Sequence, residues 1–347
     1  MFEAVITICA VMAGDPCRAV LLPGYEAASQ AQCEANLQSR TPEQNWPEGQ
    51  TATNPASCMA SGSALAVEEL RPGVFVHLGA IAEPGSENGG DVSNLGFVIG
   101  ERAVAVIDSG TTRALGEALY RAIRSRTDLP IAYVILTHMH PDHVFGATIL
   151  AEAGAQIIGH PSLPRALADR QENYLQSLTT SLGQAAMIGT QSPAIDLLVD
   201  GEMQLDLGGK TLSLRTWPIA HSPTDLTVVL EEDGLLFAGD LVFDRHSPAL
   251  DGSLRGWQNV LDQLESQPLR AVIPGHGGPL LPWPSGMTPM KNYLEILAVE
   301  TRQALDQGQR LGEAVTVIGQ SAAPHWQLFE VFNPRNATVA YTELEWE

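Results

Sequence analysis

Lysine is nearly missing from this chain. Lys210 and Lys291 are the only two among 19 basic residues, against 40 acidic ones, for a formal net charge of −21. A surface so short of positive charge repels phosphate backbones and anionic lipid, which argues against nucleic acid or a membrane surface as a partner. No apolar run reaches the roughly 18–20 residues of a membrane span. Cysteine is absent after Cys58, and histidine is absent before His77. There is no Gly-x-Ser-x-Gly elbow and no P-loop, so neither serine-nucleophile nor nucleotide-phosphate chemistry is signalled. What remains is a globular composition, 44% hydrophobic and 17% charged, over 347 residues, enough for one large domain and a smaller one.

The four cysteines, Cys9, Cys17, Cys33 and Cys58, all lie in the first 58 residues. Their spacing is long and irregular and no histidine is nearby, which disfavours a zinc knuckle. Two disulfides holding a small N-terminal module is the preferred reading, and three pairings remain open. Ala4 to Gly14 is apolar apart from Thr7, but it lacks a basic n-region and Glu3 sits where Lys or Arg would belong, so it makes a poor signal peptide. A processed precursor would present the same face. Disulfides favour an oxidising compartment, and the missing signal argues against one.

Residues 1–40 read as a strand, a turn at Asp15-Pro16, a second strand near Ala19 to Leu22, and a helix from about Ala27 to Gln38. Residues 41–60, rich in Pro, Thr, Asn and Ser, read as a linker. The boundary falls near residue 60, giving a cysteine-bearing module with its linker over 1–60 and a larger domain with a C-terminal tail over 61–347. Gly73 to Leu78 alternates like a strand; 82–94 is a Gly-rich loop; 94–99 and 103–107 form a hairpin. A helix is predicted over Thr112–Arg126, and a doubly buried strand at Ile131–Leu136. Further strands are predicted near 156–158, 212–215, 226–230, 235–238 and 271–273. Further helices are predicted over 162–190, 256–265 and 290–307. Meandering strands that then alternate with helices suggest sheets with helices packed outside them.

The densest signal is Thr137-His138-Met139-His140-Pro141-Asp142-His143, directly after a buried strand. Loop side chains at a strand end can converge on one point. Neutral imidazole and carboxylate are ligand types that suit zinc, and four of them packed so closely are costly to bury without a metal. Three later strand ends carry single residues of the same kind: His221 in His-Ser-Pro-Thr-Asp, Asp240 in Phe-Ala-Gly-Asp, and His276 in Pro-Gly-His-Gly-Gly. Each is weak alone. Their order after the dense motif makes the joint reading strong.

With these residues in place, the sequence over about 64–310 resembles the metallo-β-lactamase superfamily. The resemblance implies an α/β fold, an αβ/βα four-layer sandwich, here preceded by the small cysteine-bearing module. It implies that His138, His140 and His221 hold one metal, that Asp142, His143 and His276 hold a second, and that Asp240 bridges them. Asp108, in Val-Ile-Asp-Ser-Gly, matches an aspartate that orients the metal loop. The cysteine-bearing segment, His221 to Leu226, and the ending Asn336 to Glu347 further resemble the zinc metallohydrolases assigned to quinoprotein relay systems. That implies a periplasmic quinoprotein dehydrogenase as partner, with the cytoplasm as the alternative location.

The implied cofactor is two zinc ions per chain, and the implied chemistry is hydrolysis of a small-molecule ester, thioester, lactone or similar carbonyl compound by a hydroxide generated between the metals, with Asp142 accepting or delivering a proton. Asp240 narrows the class, because superfamily β-lactamases generally place cysteine or serine there. His140 favours zinc, because flavo-diiron relatives carry glutamate there. Two rivals stay open. One is a mononuclear iron persulfide dioxygenase using His138, His221 and Asp240; the other is a metal-binding accessory protein without catalysis. The loop Glu83–Asp91 reads either as a lid or as a plain hairpin loop, and His246 either as pocket wall or as surface. His77, His160 and His325 read as structural. Segment 162–200 has no feature that specifies a ligand.

Overall fold

A computed structural model describes residues 1–10, 16–42 and 45–346; the expected turn at Asp15 and the terminal Glu347 lie outside the described residues. The chain opens with β1 (Phe2–Ala10), β2 (Cys17–Ala27), α1 (Gln30–Ser39), β3 (Gln50–Ala52) and β4 (Ser57–Ala60). β1 pairs antiparallel with β2, β3 and β4. The stretch expected to be a linker, 41–60, therefore carries two strands of this small sheet. Its polar composition hid them because edge strands are held by backbone hydrogen bonds and need little apolar patterning.

The three open pairings resolve to Cys9–Cys17 and Cys33–Cys58. Cys9 and Cys17 stand opposite each other in the β1–β2 register. Cys33 is fully buried and ties α1 to β4. With its cysteines at a sequence separation of 25, this second bridge removes loop entropy from the unfolded chain worth about 3 kcal/mol. Replacing Cys33 and Cys58 by alanine is expected to lower stability by about that amount in chemical denaturation.

The second sheet comprises β5 (Glu68–Arg71), β6 (Val74–His77), β7 (Leu95–Ile99), β8 (Val104–Ile107), β9 (Ile131–Ile135), β10 (Gln156–Gly159) and β11 (Leu197–Leu198). Their spatial order is β11-β10-β9-β8-β7-β6-β5. Between them lie α2 (Arg113–Arg124), α3 (Pro141–Val144), α4 (Ala147–Glu152) and α5 (Leu163–Leu182). Residues 183–190, expected to extend α5, form turns instead after Gly183 adopts a positive φ of 86°. The third sheet follows in sequence order: β12 (Glu202–Asp206), β13 (Thr211–Thr216), β14 (Leu226–Leu230), β15 (Leu235–Phe237), β16 (Ala271–Ile273) and β17 (Leu281–Pro282). The helices α6 (Leu254–Glu265), α7 (Thr288–Asp306), α8 (Leu311–Ala314) and α9 (Phe329–Leu344) complete the chain. The expected C-terminal tail is thus largely the helix α9.

Side-chain alternation explains the layers. In β8, Ala105 and Ile107 join the core between the two large sheets, while Val104 and Val106 pack under α2 and α4. In β15 and β16, Phe237 and Ile273 face the inter-sheet core, while Leu236 and Val272 meet α6, α7 and α9. Both faces of each strand are covered, so the strands read as continuous apolar runs. Thr112 caps α2 and Ser253 caps α6, each accepting a backbone N–H in the first turn. The outcome is helix, sheet, sheet, helix, with loops at one edge carrying the dense histidine motif.

The N-terminal sheet docks on α2 through charges that are almost dry. Glu3 binds Arg121 at 2.8 Å, Arg18 binds Glu117 at 2.8 Å, and the fully buried Arg113 reaches Glu117 at 3.3 Å and Glu152 at 2.5 Å. The Leu21 backbone N–H donates to Glu117 as well. Glu3, out of place in a leader sequence, has its partner here. No helix among the described residues is long and apolar enough to cross a membrane.

Candidate metal centre

Each residue of the dense motif leaves a strand end. His138, His140, Asp142 and His143 follow β9, with the last two inside α3; His221 precedes β14; Asp240 follows β15; His276 follows β16. Two glycines let these loops approach one another. A Cβ at Gly275 would collide with Asp240 Oδ1, and Gly239, at φ 52°, leaves no room for a Cβ beside Thr137.

The structure brings all seven residues together. His138, His140, His221 and Asp240 form one donor group, and Asp142, His143 and His276 another, with the atoms in each group within 4.8 Å of one another. Asp240 stands between the groups. Its Oδ2 lies 3.6, 3.5 and 3.4 Å from the Nε2 atoms of His138, His221 and His276, and its Oδ1 lies 3.3 Å from His143 Nε2. Asp142 Oδ2 lies 3.4 Å from both His143 Nε2 and His276 Nε2.

The partners on the outer side of each imidazole settle which nitrogen points inward. His221 Nδ1 donates to the Ala249 carbonyl, and His276 Nδ1 to the Val92 carbonyl. His143 Nδ1 donates to Asp108 Oδ2 at 2.8 Å. Thr137 Oγ1 gives its proton to the same carboxylate and accepts from His138 Nδ1. His140 is reversed: its Nε2 donates to Asp251 Oδ2 at 3.2 Å, leaving Nδ1 3.1 and 3.0 Å from His138 and His221 Nε2. Five imidazoles therefore turn their remaining ring nitrogens to a shared space. His143 Nε2 and Asp240 Oδ1 are buried there without any hydrogen-bond partner. Orphaned buried polar atoms are costly, and a cation between them removes the cost, so the donor set fits metal ions.

Asp108 is buried and adopts a left-handed φ of 59°, which aspartate tolerates better than most residues. Its Oδ1 accepts the Thr137 N–H and its Oδ2 holds Thr137 Oγ1 and His143. One carboxylate thus fixes both ends of the motif.

Burial and mutual charge divide the cluster. Burial holds His138 well below the usual imidazole range, with the neighbouring His143 charge adding to it, and takes His221 down to about 3. Burial opposes charge on His143 and His276 too, but there the carboxylates prevail. Asp240, Asp142 and Asp108 keep His143 well above its ordinary value, and Asp240 with Asp142 lifts His276 to about 9. Burial works against ionised Asp142 and Asp240 in turn, yet the facing histidines hold both well below 3.8. Burial raises Asp225 to about 7 despite hydrogen bonds from Ser222.

Two features, Asp251 and α9, went unread in the sequence, and one open alternative, His246, is decided. Asp251 lies 111 positions from His140 and also pairs with Arg170 at 2.5 Å; a lone Asp before Gly252 carries no signal. His246 is a cavity residue: it is buried, Nδ1 donates to the Ser247 carbonyl, and its ring lies 4.6 Å from that of His276. α9 supplies a cavity wall. The cavity over the donor groups has a volume of about 450 Å³, in the range of small-molecule sites. A larger cleft of about 700 Å³ lies where β2 meets α2, away from both donor groups.

The loop Glu83–Asp91 contributes Glu83 to the cavity rim and is tethered at its far end by His77. His77 donates from Nδ1 to the Ala66 carbonyl and from Nε2 to Asp91 at 2.7 Å. Burial works against charge on the ring, but the bonds to Asp91 and to the Ala66 carbonyl favour the protonated form and prevail, raising its pKa above 6.5. The tether's stabilisation is full below 6.5 and disappears as pH rises through the raised value. Asp91→Asn is expected to cost about 1–2 kcal/mol at acidic pH. That cost should shrink in denaturation curves taken at increasing pH. His160 is half-buried and accepts the Ser162 N–H, and His325 is exposed; neither joins the cluster.

The fold and site together define a class: a four-layer sandwich with a histidine–aspartate metal centre at one edge. The family model for the metallo-beta-lactamase superfamily matches residues 88–276, more than half of the chain, and the chain belongs to that superfamily. It is 25% identical over 215 residues to an atrochrysone carboxyl ACP thioesterase of Aspergillus fumigatus, covering 62% of this chain and 56% of that one. It is 24% identical over 221 residues to a metallo-beta-lactamase type 2 of Bacillus sp., covering 61% and 76%. Two of the curated relatives are spanned over only 36% and 56% of their length. Among solved structures, a metallo-beta-lactamase from Pontibacter korlensis superposes with TM-score 0.55 at 20% identity, covering 67% of this chain and 99% of that one. A sec-alkylsulfatase from Pseudomonas sp. superposes with TM-score 0.62 at 14% identity, covering 81% and 50%. At these identities the structures speak for the fold.

Proposed function

We propose that this protein is a dinuclear zinc hydrolase acting on an ester, thioester, lactone or similar carbonyl substrate. The observation that carries the proposal is the seven-donor cluster with Asp240 between its two groups, opening on a cavity. His138, His140 and His221 would hold one ion, Asp142, His143 and His276 the other, and Asp240 would touch both. When bound, such a pair lowers the pKa of water towards neutrality and polarises an acyl oxygen.

The chain's own residues supply the rest. Asp108, Asp251 and the Val92 and Ala249 carbonyls hold the imidazoles in one orientation, so little reorganisation is needed on binding. Asp142 lines the cavity and would take or return a proton at the reacting atoms. Phe243 and Leu250 form apolar cavity wall that excludes bulk water. Thioesterase relatives favour an acyl substrate. A periplasmic quinoprotein dehydrogenase as partner belongs to the same proposal, supported by the resemblance of the cysteine-bearing segment and the C-terminal ending.

A single iron held by His138, His221 and Asp240 would leave the three donors around Asp142 without a task. Metal quantification on the purified protein decides between the readings, followed by a screen of esters, thioesters, lactones and phosphodiesters. About two zinc per chain with turnover of a carbonyl substrate is the expected result. One iron with oxygen uptake, or no bound transition metal, would overturn the proposal.

A further inference from the structure

The wall of the cavity formed by α9 contains a charge without a partner among the described residues. Phe332, Arg335, Asn336 and Val339 stand at i, i+3, i+4 and i+7, one face of the helix, and all four line the cavity. Asn336 pins that face. Its Oδ1 accepts the Leu250 N–H at 2.9 Å, and its Nδ2 donates to the Pro248 carbonyl at 2.7 Å and to Tyr293 Oη at 2.8 Å. Arg335 therefore projects from a fixed platform, as a recognition residue should.

The other cavity charges are committed. Asp142 and Asp240 belong to the donor cluster, and Asp251 is held between His140 and Arg170. Arg170 gives its second contact to Tyr174. Arg335 has no hydrogen bond or ion pair among the described residues, and Glu83 on the opposite loop is the other uncommitted rim charge. In a chain with 40 acidic residues against 19 basic ones, an arginine without a carboxylate is not short of potential partners. It lies on α9, outside the region shared with the family model. Phe332, Val339 and Leu250 give the same cavity apolar surface, and the Phe332 ring lies 5.0 Å from that of His246, itself 4.6 Å from that of His276.

We propose that Arg335 anchors a carboxylate on the substrate, so that the molecule hydrolysed is an amphipathic acyl compound with an anionic end at α9 and its scissile carbonyl at the donor cluster. A guanidinium fork matches a carboxylate with two parallel hydrogen bonds, which sets direction as well as affinity. Phe332, Val339 and Leu250 cover the apolar stem. The inference rests on the hydrolase reading for the scissile end, while the anion subsite itself is a binding claim.

Two readouts on the metal-loaded protein separate them. The first compares p-nitrophenyl esters of equal length, one ending in a carboxylate and one in a methyl group. The parent should prefer the anionic ester, and Arg335→Gln should cut that preference roughly tenfold to a hundredfold, mainly through KM. Arg335→Lys should restore part of it. The second is calorimetric binding of adipate against hexanoate: adipate should bind more tightly to the parent, and the difference should vanish in Arg335→Gln. If no ester is hydrolysed yet adipate binding still depends on Arg335, the hydrolase reading fails and the anion subsite stands. If esters are hydrolysed but neither preference changes in Arg335→Gln, or the parent favours the neutral ester, the anion subsite is overturned. Circular dichroism and metal content of the variant show whether any loss is mere unfolding.

Discussion

For the dinuclear hydrolase proposed above, Asp240→Ala should lose both metals and nearly all hydrolysis. Bound metal is expected to fall from about two ions per chain to well under one, and turnover by roughly a thousandfold or more. The reason is position: Asp240 faces four of the five clustered histidines, at 3.3–3.6 Å. A second effect appears without metal. Asp240 is the carboxylate that does most to keep His143 and His276 protonated against their burial. The metal-free variant should therefore be less stable than the metal-free parent at neutral pH, towards the low end of roughly 3–5 kcal/mol, because the two histidines can shed their protons. The sign follows from the directions of shift. The Asp240 contribution is present above its ordinary value of 3.8 and disappears as pH falls through its depressed pKa. The contribution of His276 fades as pH rises past about 9. Metal analysis and denaturation at several pH values check both parts; full metal content in the variant would show that Asp240 is not shared between the two donor groups.

Glu117→Ala should be the most destabilising single change away from the metal centre. Glu117 is 2% exposed and takes hydrogen bonds from Arg18 and from the Leu21 N–H, with Arg113 3.3 Å away. Removing it leaves Glu152 as the carboxylate facing the fully buried Arg113 and takes away the Arg18 and Leu21 links between β2 and α2, while the Arg113 bond to the Leu21 carbonyl remains. Breaking such a pair costs about 3–5 kcal/mol, much of it the penalty of a buried charge left behind. Adding Arg18→Met should recover part of the loss, since the pair would then be absent from both sides. Urea denaturation measures it, and a loss below about 1 kcal/mol would mean that water reaches Glu117 after all.

Much of this was legible along the chain because it is local. The motif from His138 to His143 occupies six consecutive positions after a buried strand, so its convergence follows from a loop leaving one strand end. Ile131–Ile135 and Leu226–Leu230 were readable because strands covered on both faces become apolar runs. Other parts had no local signal. β3 and β4 are short and mostly polar. α9 carries Pro334 inside it and buries residues against both the core and the cavity, so no single apolar stripe marks it. His246 left pocket wall and surface both open in sequence; in space it is a buried ring tilted against His276, 4.6 Å away.

The amino-acid order alone determined the residue types of the donor set and the layered class of fold, because each depends on residue type at a strand end or on alternation. Only the tertiary structure decided which cysteines pair, which nitrogen of each histidine faces inward, and which charges stay uncommitted at the cavity. Those outcomes depend on contacts between residues as far apart as His276 and Val92, at 184 positions, and on burial that removes water from between them. The excess of acid found at the outset has the same division. Its sum is a property of the composition, but that Arg335 stands without a carboxylate inside it is a property of the fold.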